Sequence, residues 1–324
     1  MRGVGAAIAA HADWSVDAGK RWMAVARRSG AGWVLAAPVP VGEVGSLCAR
    51  LRDAAGGGAV ALGVDFPLGL PRGYVARCGL EGNFVGFLRG LAGRPGFFSV
   101  CSALEEVGPG RPFYPARGVR GMTRAGHAAA LGLEGVAGLS RWCDRATAER
   151  PAGAPLFWTL GANQTGKAAI SAWRDWLGPI LERGRAPRLW PFEGDFCALL
   201  APGEVAVAET YPAEALRHLG LRLVGSKRRQ GDRVGLAGAL AAAMGRLGVV
   251  AEAGLAAAMA DGFGGRPDGE DRLDCVLGVW AVINVLAGNR PDGTPEDDWL
   301  RRWEGWVLGQ TSLPVDGGGG SGRG

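Results

Sequence analysis

The sequence predicts an α/β protein: a mixed five-stranded sheet flanked by helices, with a large, mostly helical insertion between the fourth and fifth strands. Three observations carry this expectation. The first third alternates short apolar runs with polar punctuation, as strands joined by turns do. Two later runs, Ala59–Asp65 (AVALGVD) and Glu204–Glu209 (EVAVAE), are continuously apolar and of strand length, the pattern of strands covered on both faces. Between them lie about 140 residues rich in Gly, Pro, Arg and Trp.

Taken in order, Ala6–Asp13 is apolar and strand-like, and Trp14–Lys20 (WSVDAGK) is a polar turn. Arg21–Ala26 alternates, and Trp33–Ala37 follows Ser-Gly-Ala-Gly punctuation. Glu43–Ala55 sets Val44, Leu47, Cys48 and Leu51 at helical spacing. The Ala59–Asp65 strand stops at Phe66-Pro67, where proline ends the ladder. Residues 68–202 are expected to hold short helices and long loops, with one amphipathic helix near Lys167–Arg183. After the strand ending at Glu209 come helices near Ala213–Leu219, Arg233–Leu247 and Glu252–Ala260. A strongly apolar helix, Asp271–Ala287, is opened by the acidic turn Pro267–Glu270. One domain is expected over 1–310, and the Gly-rich segment 311–324 is expected to be a disordered tail.

The chain has 324 residues, of which 48% are hydrophobic and 21% charged, an ordinary globular balance. No apolar run reaches the roughly 18–20 residues of a membrane span. The start of the chain, where an apolar stretch of a few residues runs into Asp13, reads as a strand rather than a signal peptide. The net charge of +5 hints at an anionic partner, yet nearly all of it is arginine; the only lysines are Lys20, Lys167 and Lys227. Six scattered cysteines, without a CxxC or a histidine at ligand spacing, argue against zinc and against a disulfide framework. Buried free thiols in a reducing cytoplasm are expected. Three histidines form no motif, which leaves a Ser-His-Asp or Cys-His hydrolase little to stand on.

Acidic residues recur where strands end or helices begin: Asp13, Asp65, Glu209, and the pair Asp271/Asp274. Strand termini open onto the crevice where α/β proteins bind ligands. Asp65 and Glu209 each sit between a buried-type strand and a nearby proline, and Asp271 and Asp274, three apart, share one helix face. Taken singly, Asp13 and Asp65 can also be turn residues, and Asp271 a first-turn acid favoured by the helix dipole. Converging acids without His or Cys suit hard cations, Mg²⁺ or Mn²⁺. Two such ions about 4 Å apart can clamp an in-line phosphoryl displacement.

The order of these segments resembles the RNase H-like layout, and the chain is similar to the domain of unknown function 429 (DUF429) family, described as predicted RNase H-like nucleases. The segments that carry the resemblance are ADWSVDAGKRW (12–22), GVDFPLGLP (63–71), FWTLGANQTGK (157–167), LWPFEG (189–194), AETYPAEAL (208–216) and DRLDCVLGVWAV (271–282). The resemblance implies metal binding by Asp13, Asp65, Glu209 and Asp274, with Asp271, and a two-metal nuclease leaving 5′-phosphate and 3′-hydroxyl ends on DNA or RNA. The long insertion departs from small RNase H enzymes and is expected to act as a lid or a substrate-selecting element.

Other features are secondary. The basic run Ser226–Arg229, with Lys227 and Arg228, is either a phosphate-holding patch or a solvated loop. Ser15 and Lys20 in the first hairpin can likewise meet a phosphate. GANQTGK (161–167) departs from a phosphate loop because Ala168 follows where a Mg²⁺-binding hydroxyl would stand. Two other functions stay open: a non-catalytic nucleic-acid-binding module of the same fold, and an actin-like sugar-kinase-type phosphotransferase, which would need a second copy of the core.

Overall fold

A computed structural model describes residues 5–161 and 165–315. Its centre is an eight-stranded mixed sheet in the order β6-β7-β5-β1-β2-β3-β8, with β4 paired to β2. Strand β1 (Ala6–Asp13) runs antiparallel to β2 (Trp22–Ser29), which pairs antiparallel with β3 (Gly32–Leu35) and β4 (Val39–Pro40). Parallel to β1 lies β5 (Ala59–Val64), and parallel to β5 lies β7 (Val205–Glu209). Two short parallel strands complete the edges, β6 (Arg188–Leu189) beside β7 and β8 (Val249–Ala251) beside β3.

The five expected strands are present as β1, β2, β3, β5 and β7. The count of five is corrected to eight by β4, β6 and β8, which span two or three residues each. A run that short cannot display the alternation by which a strand is read from sequence. The observed strands β5 and β7 are buried at every position, as their unbroken apolar runs require, while Asp65 and Glu204 at the ends of the expected runs are partly exposed.

Ten helices surround the sheet among the described residues: α1 (Leu47–Ala54), α2 (Arg72–Arg77), α3 (Phe84–Arg89), α4 (Arg124–Ala130), α5 (Thr165–Ala172), α6 (Gly178–Leu181), α7 (Pro212–His218), α8 (Gln230–Arg246), α9 (Ala253–Ala260) and α10 (Gly269–Leu286). Helices α2 to α6 lie between β5 and β7 and are mostly short, as expected. The helix expected near Lys167–Arg183 is α5 continued through a π-helical turn, Trp173–Leu177, into α6. No described helix is long and apolar enough to cross a membrane.

Alternation along the strands divides the core into two layers. Ile8, Ala10, Ala12, Val60, Leu62, Val64, Val205 and Val207 face the inserted segment and α1. Ala9, Ala59, Ala61, Ala206 and Ala208 face the other way, onto α10, α7 and α8. This second face is built from small side chains, so α10 can lie close against β1, β2 and β5. None of the twelve tryptophans is exposed. Trp173 and Trp176, three apart, are fully buried, and Trp14 stacks on Trp176 with ring centroids 5.4 Å apart. All six cysteines are free thiols, as expected; four are buried, while Cys78 is partly buried and Cys197 exposed, against the expectation that all are buried.

Residues 311–315 do not fit the expected disordered tail. Pro314 bridges Thr147, and the Val315 amide donates to the Ala146 carbonyl, so residues up to 315 lie against the insertion. Residues 316–324 lie outside the described residues.

His11 lies under the α10 layer, fully buried, and neither ring nitrogen has a hydrogen-bond partner. Burial pushes its pKa down to about 3, so the ring is neutral. The space for it comes from glycine: a Cβ at Gly278 of α10 would overlap the imidazole, and one at Gly63 would press on Thr210, Val282 and His11. Gly278→Ala should therefore destabilise the chain by about 1–3 kcal/mol through overpacking. Urea denaturation checks this. Adding His11→Ala to Gly278→Ala should recover part of the loss; an unchanged midpoint in the single variant would refute the packing argument.

Candidate carboxylate–lysine site

Strands β1 and β5 are adjacent and parallel, so their carboxyl ends lie side by side. Ala12 pairs with Val64, which places Asp13 level with Asp65 just beyond the ladder. The Trp14 amide donates to Asp65 Oδ1 at 2.7 Å, locking the two strand exits together. Both aspartates project to the α10 side, because Ala12 and Val64 belong to the opposite layer. The first turns of α10 bring Asp271 and Asp274 to the same place, and these four carboxylates feel one another's charge.

That crowding is visible in their protonation. Burial, followed by the charges of Asp65, Asp274 and Asp271, pushes Asp13 well above the usual carboxylate range. Burial raises Asp65 to about 7, against the pull of the Trp14 amide and of a hydrogen bond with Asp13. Two carboxyl groups can hydrogen-bond to each other only by sharing a proton. Burial and then Asp274 raise Asp271 to about 6, while Lys20 pulls the other way. Asp274 is raised by burial and opposed by Lys227.

Lys227 closes the cluster. Its Nζ lies 2.7 and 2.5 Å from the two Asp274 oxygens. Burial disfavours the ammonium, but Asp274, Glu270 and Asp13 together hold its pKa above the ordinary lysine value. The site opens into a cleft of about 590 Å³, within the size range of small-molecule sites. Trp14, Ser15, Asp65, Lys227 and Asp274 line its inner part. Arg150, Thr165 and Lys167 come from the insertion, and Tyr211, Glu214 and Arg217 from α7 and the residue before it.

Glu209 requires a correction, because it does not join the other acids. Its residue pairs with Val64, so Thr210, not Glu209, stands level with Asp13 and Asp65. One residue of register sends the Glu209 side chain to the opposite face. There it is fully buried against Arg141, whose Nη1 and Nη2 donate at 2.6 and 2.7 Å, and it accepts the Leu68 amide at 2.7 Å. Arg141 also donates to Asp144 from Nε and Nη2 at 2.9 Å. Asp144 in turn accepts the Tyr211 hydroxyl at 2.8 Å. This network ends in the cleft wall at Tyr211, and Glu209 serves it as an anchor.

The remaining expected residues fall around the cluster. Ser15 lines the cleft, and its carbonyl accepts from Arg21 Nε at 2.6 Å. Lys20 is exposed and close enough to affect Asp271. Arg228 is exposed and lies 3.7 Å from Glu270, away from the cleft lining. Sequence reasoning did not single out Arg141, Asp144, Arg150 or Glu214, and names Arg217 only as a neighbour of the basic run at Ser226–Arg229. The one available signal was the scarcity of lysine: Lys167 and Lys227 line the cleft, and Lys20 faces its acids.

Among the described residues, no three carboxyl, imidazole or thiol groups converge closely enough to enclose a metal ion. The reason lies in the partners already named. Asp274 is turned onto Lys227 and Glu209 onto Arg141, leaving Asp13 and Asp65 as the touching pair.

A protonation test follows from Asp65. An acid held near 7 when folded and near 3.8 when unfolded keeps a proton that the unfolded chain has released. The stability gained from that proton is full below about pH 4 and is lost as pH rises through about 7. Without divalent cations, Asp65→Asn should match the wild type near pH 3.5. It should be more stable by on the order of 2–4 kcal/mol above pH 7. Thermal melts across this range check it; a gap independent of pH would refute the shift.

Fold and cleft together define an α/β protein with an acidic cluster at the ends of two adjacent parallel strands, held by a lysine. No family model, curated protein or solved structure matches the chain.

Proposed function

We propose that the chain is an RNase H-like, metal-dependent nuclease that hydrolyses phosphodiester bonds of DNA or RNA, as its resemblance to the DUF429 family implies. The observation that carries this reading is the meeting of Asp13 and Asp65 at the ends of β1 and β5, with Asp271 and Asp274 opposite. The donor set is all oxygen, and its mutual repulsion is what a divalent cation would relieve, so the residues fit Mg²⁺ or Mn²⁺. Asp13 and Asp65 would hold it, and when bound it would polarise a phosphoryl oxygen and lower the pKa of water.

The chain's own groups supply the rest. Lys167 faces the cleft with positive charge suited to phosphate oxygens, and Arg150 and Arg217 stand in its wall paired to Glu214. Trp14 lines the cleft and stacks on Trp176 beneath it.

A non-catalytic nucleic-acid-binding module is the second reading, favoured by one observation: Lys227 already neutralises Asp274. The sugar-kinase reading gains nothing, since the described residues hold one sheet. Labelled single-stranded and duplex DNA and RNA, incubated with Mg²⁺ or Mn²⁺, should be cut by the wild type. Cutting should stop with chelator and in Asp13→Ala. Binding that survives both, without cutting, would replace the nuclease by the module; ATP-dependent phosphorylation of a small molecule would favour the kinase.

A further inference from the structure

We infer that the site takes one divalent cation, on Asp13 and Asp65, and that the Lys227 ammonium occupies the place at Asp274 where a second ion would sit. The inference rests on the metal-dependent reading above and specifies how many ions that reading involves.

Lys227 is a built part of the site. Its ammonium spans both oxygens of Asp274, and its side chain is 24% exposed. The backbone behind it is fixed from two sides. Arg233, 2% exposed, donates to the Lys227 carbonyl and also to Gly262 O and Gly264 O, at 2.7 and 2.6 Å. On the other flank the Ser226 amide donates to Asp232 Oδ2 at 2.8 Å, and Arg229 Nε meets the same oxygen at 2.7 Å. A lysine on so restrained a loop delivers its charge to a set position, and little of its freedom is left to lose.

The other half of the site is the reverse. Asp13 is 8% exposed, and among the described residues its only side-chain hydrogen-bond partner is another acid, Asp65. Asp65 receives the Trp14 amide and the proton shared with Asp13, and no cation. A buried carboxylate without a cationic partner is costly unless it is protonated or bound to an ion. Asp274 has its cation, and Asp13 does not.

Repulsion between cations limits the number of ions. Lys227, facing Asp274, Glu270 and Asp13, already brings one positive charge into the cluster. A second divalent ion on Asp274 would have to displace the Lys227 ammonium from contacts of 2.5 and 2.7 Å or share its space. At such separations two cations repel strongly in a partly desolvated cleft.

The test is calorimetric titration of the full chain with Mn²⁺, using the wild type, Lys227→Met, Lys227→Arg and Asp274→Asn. The wild type and Lys227→Arg should each bind one ion per chain, and Lys227→Met should bind a second. Asp274→Asn should still bind one ion, with affinity within about threefold of the wild type, because Asp274 serves Lys227. Two ions in the wild type, one ion in a folded Lys227→Met, or a tenfold or greater loss in Asp274→Asn would overturn the inference. These three outcomes leave the nuclease reading standing. No binding by the wild type would remove that reading and the inference together.

Discussion

Arg141→Met should cost the chain about 3–5 kcal/mol of stability, enough to threaten folding, as read by urea denaturation. Arg141 is fully buried and is the cation for two fully or nearly fully buried carboxylates, Glu209 and Asp144. It also donates to the Leu68 carbonyl at 3.0 Å. Methionine fills much of the volume but leaves both acids without a partner, and an uncompensated buried charge is the expensive half of any broken pair. Replacing all three ionic groups together, Arg141→Met with Glu209→Gln and Asp144→Asn, should recover much of the loss by removing the stranded charges. A single variant that unfolds at the wild-type midpoint would show that the network carries no stability.

Asp13→Ala should lower metal-dependent phosphodiester cleavage by on the order of 10²–10³-fold or more, while the fold persists. The side chain lies at a strand exit among like charges, so its loss relieves repulsion and leaves only a small void. Glu209→Gln is the informative contrast. Its effect should fall on the unfolding midpoint, through Arg141, with cleavage by the folded fraction within a few-fold of the wild type. Equal losses of cleavage in both variants, measured at saturating Mg²⁺ on folded protein, would contradict the division of the acids described here.

The strands that position the site were legible because their residues are. Ala59–Val64 and Val205–Glu209 are unbroken apolar runs, and burial on both faces is the only environment that suits them. Asp13, Asp65, Asp271 and Asp274 could be named because each stands where a run ends or a helix starts. What sequence does not display is register. Glu209 ends its strand as plainly as Asp65 follows its own, yet a single residue of offset separates the two faces of the sheet. Arg141 and Arg150 were hidden for another reason. They lie on irregular segments of the insertion, where no periodicity marks which side chain turns inward. The short edge strands β4, β6 and β8 exist through pairing with longer neighbours, a tertiary fact with no local signature.

The uneven use of the two basic residues has a practical side. Positive charge elsewhere on the molecule is carried by guanidinium groups, which do not react with acylating reagents at neutral pH, whereas every primary amine on a side chain belongs to Lys20, Lys167 or Lys227. Chemistry directed at amines thus addresses the surroundings of one crevice and, apart from the chain's own α-amino group, nothing else. A dye or cross-linker of that kind becomes a built-in reporter of what enters there.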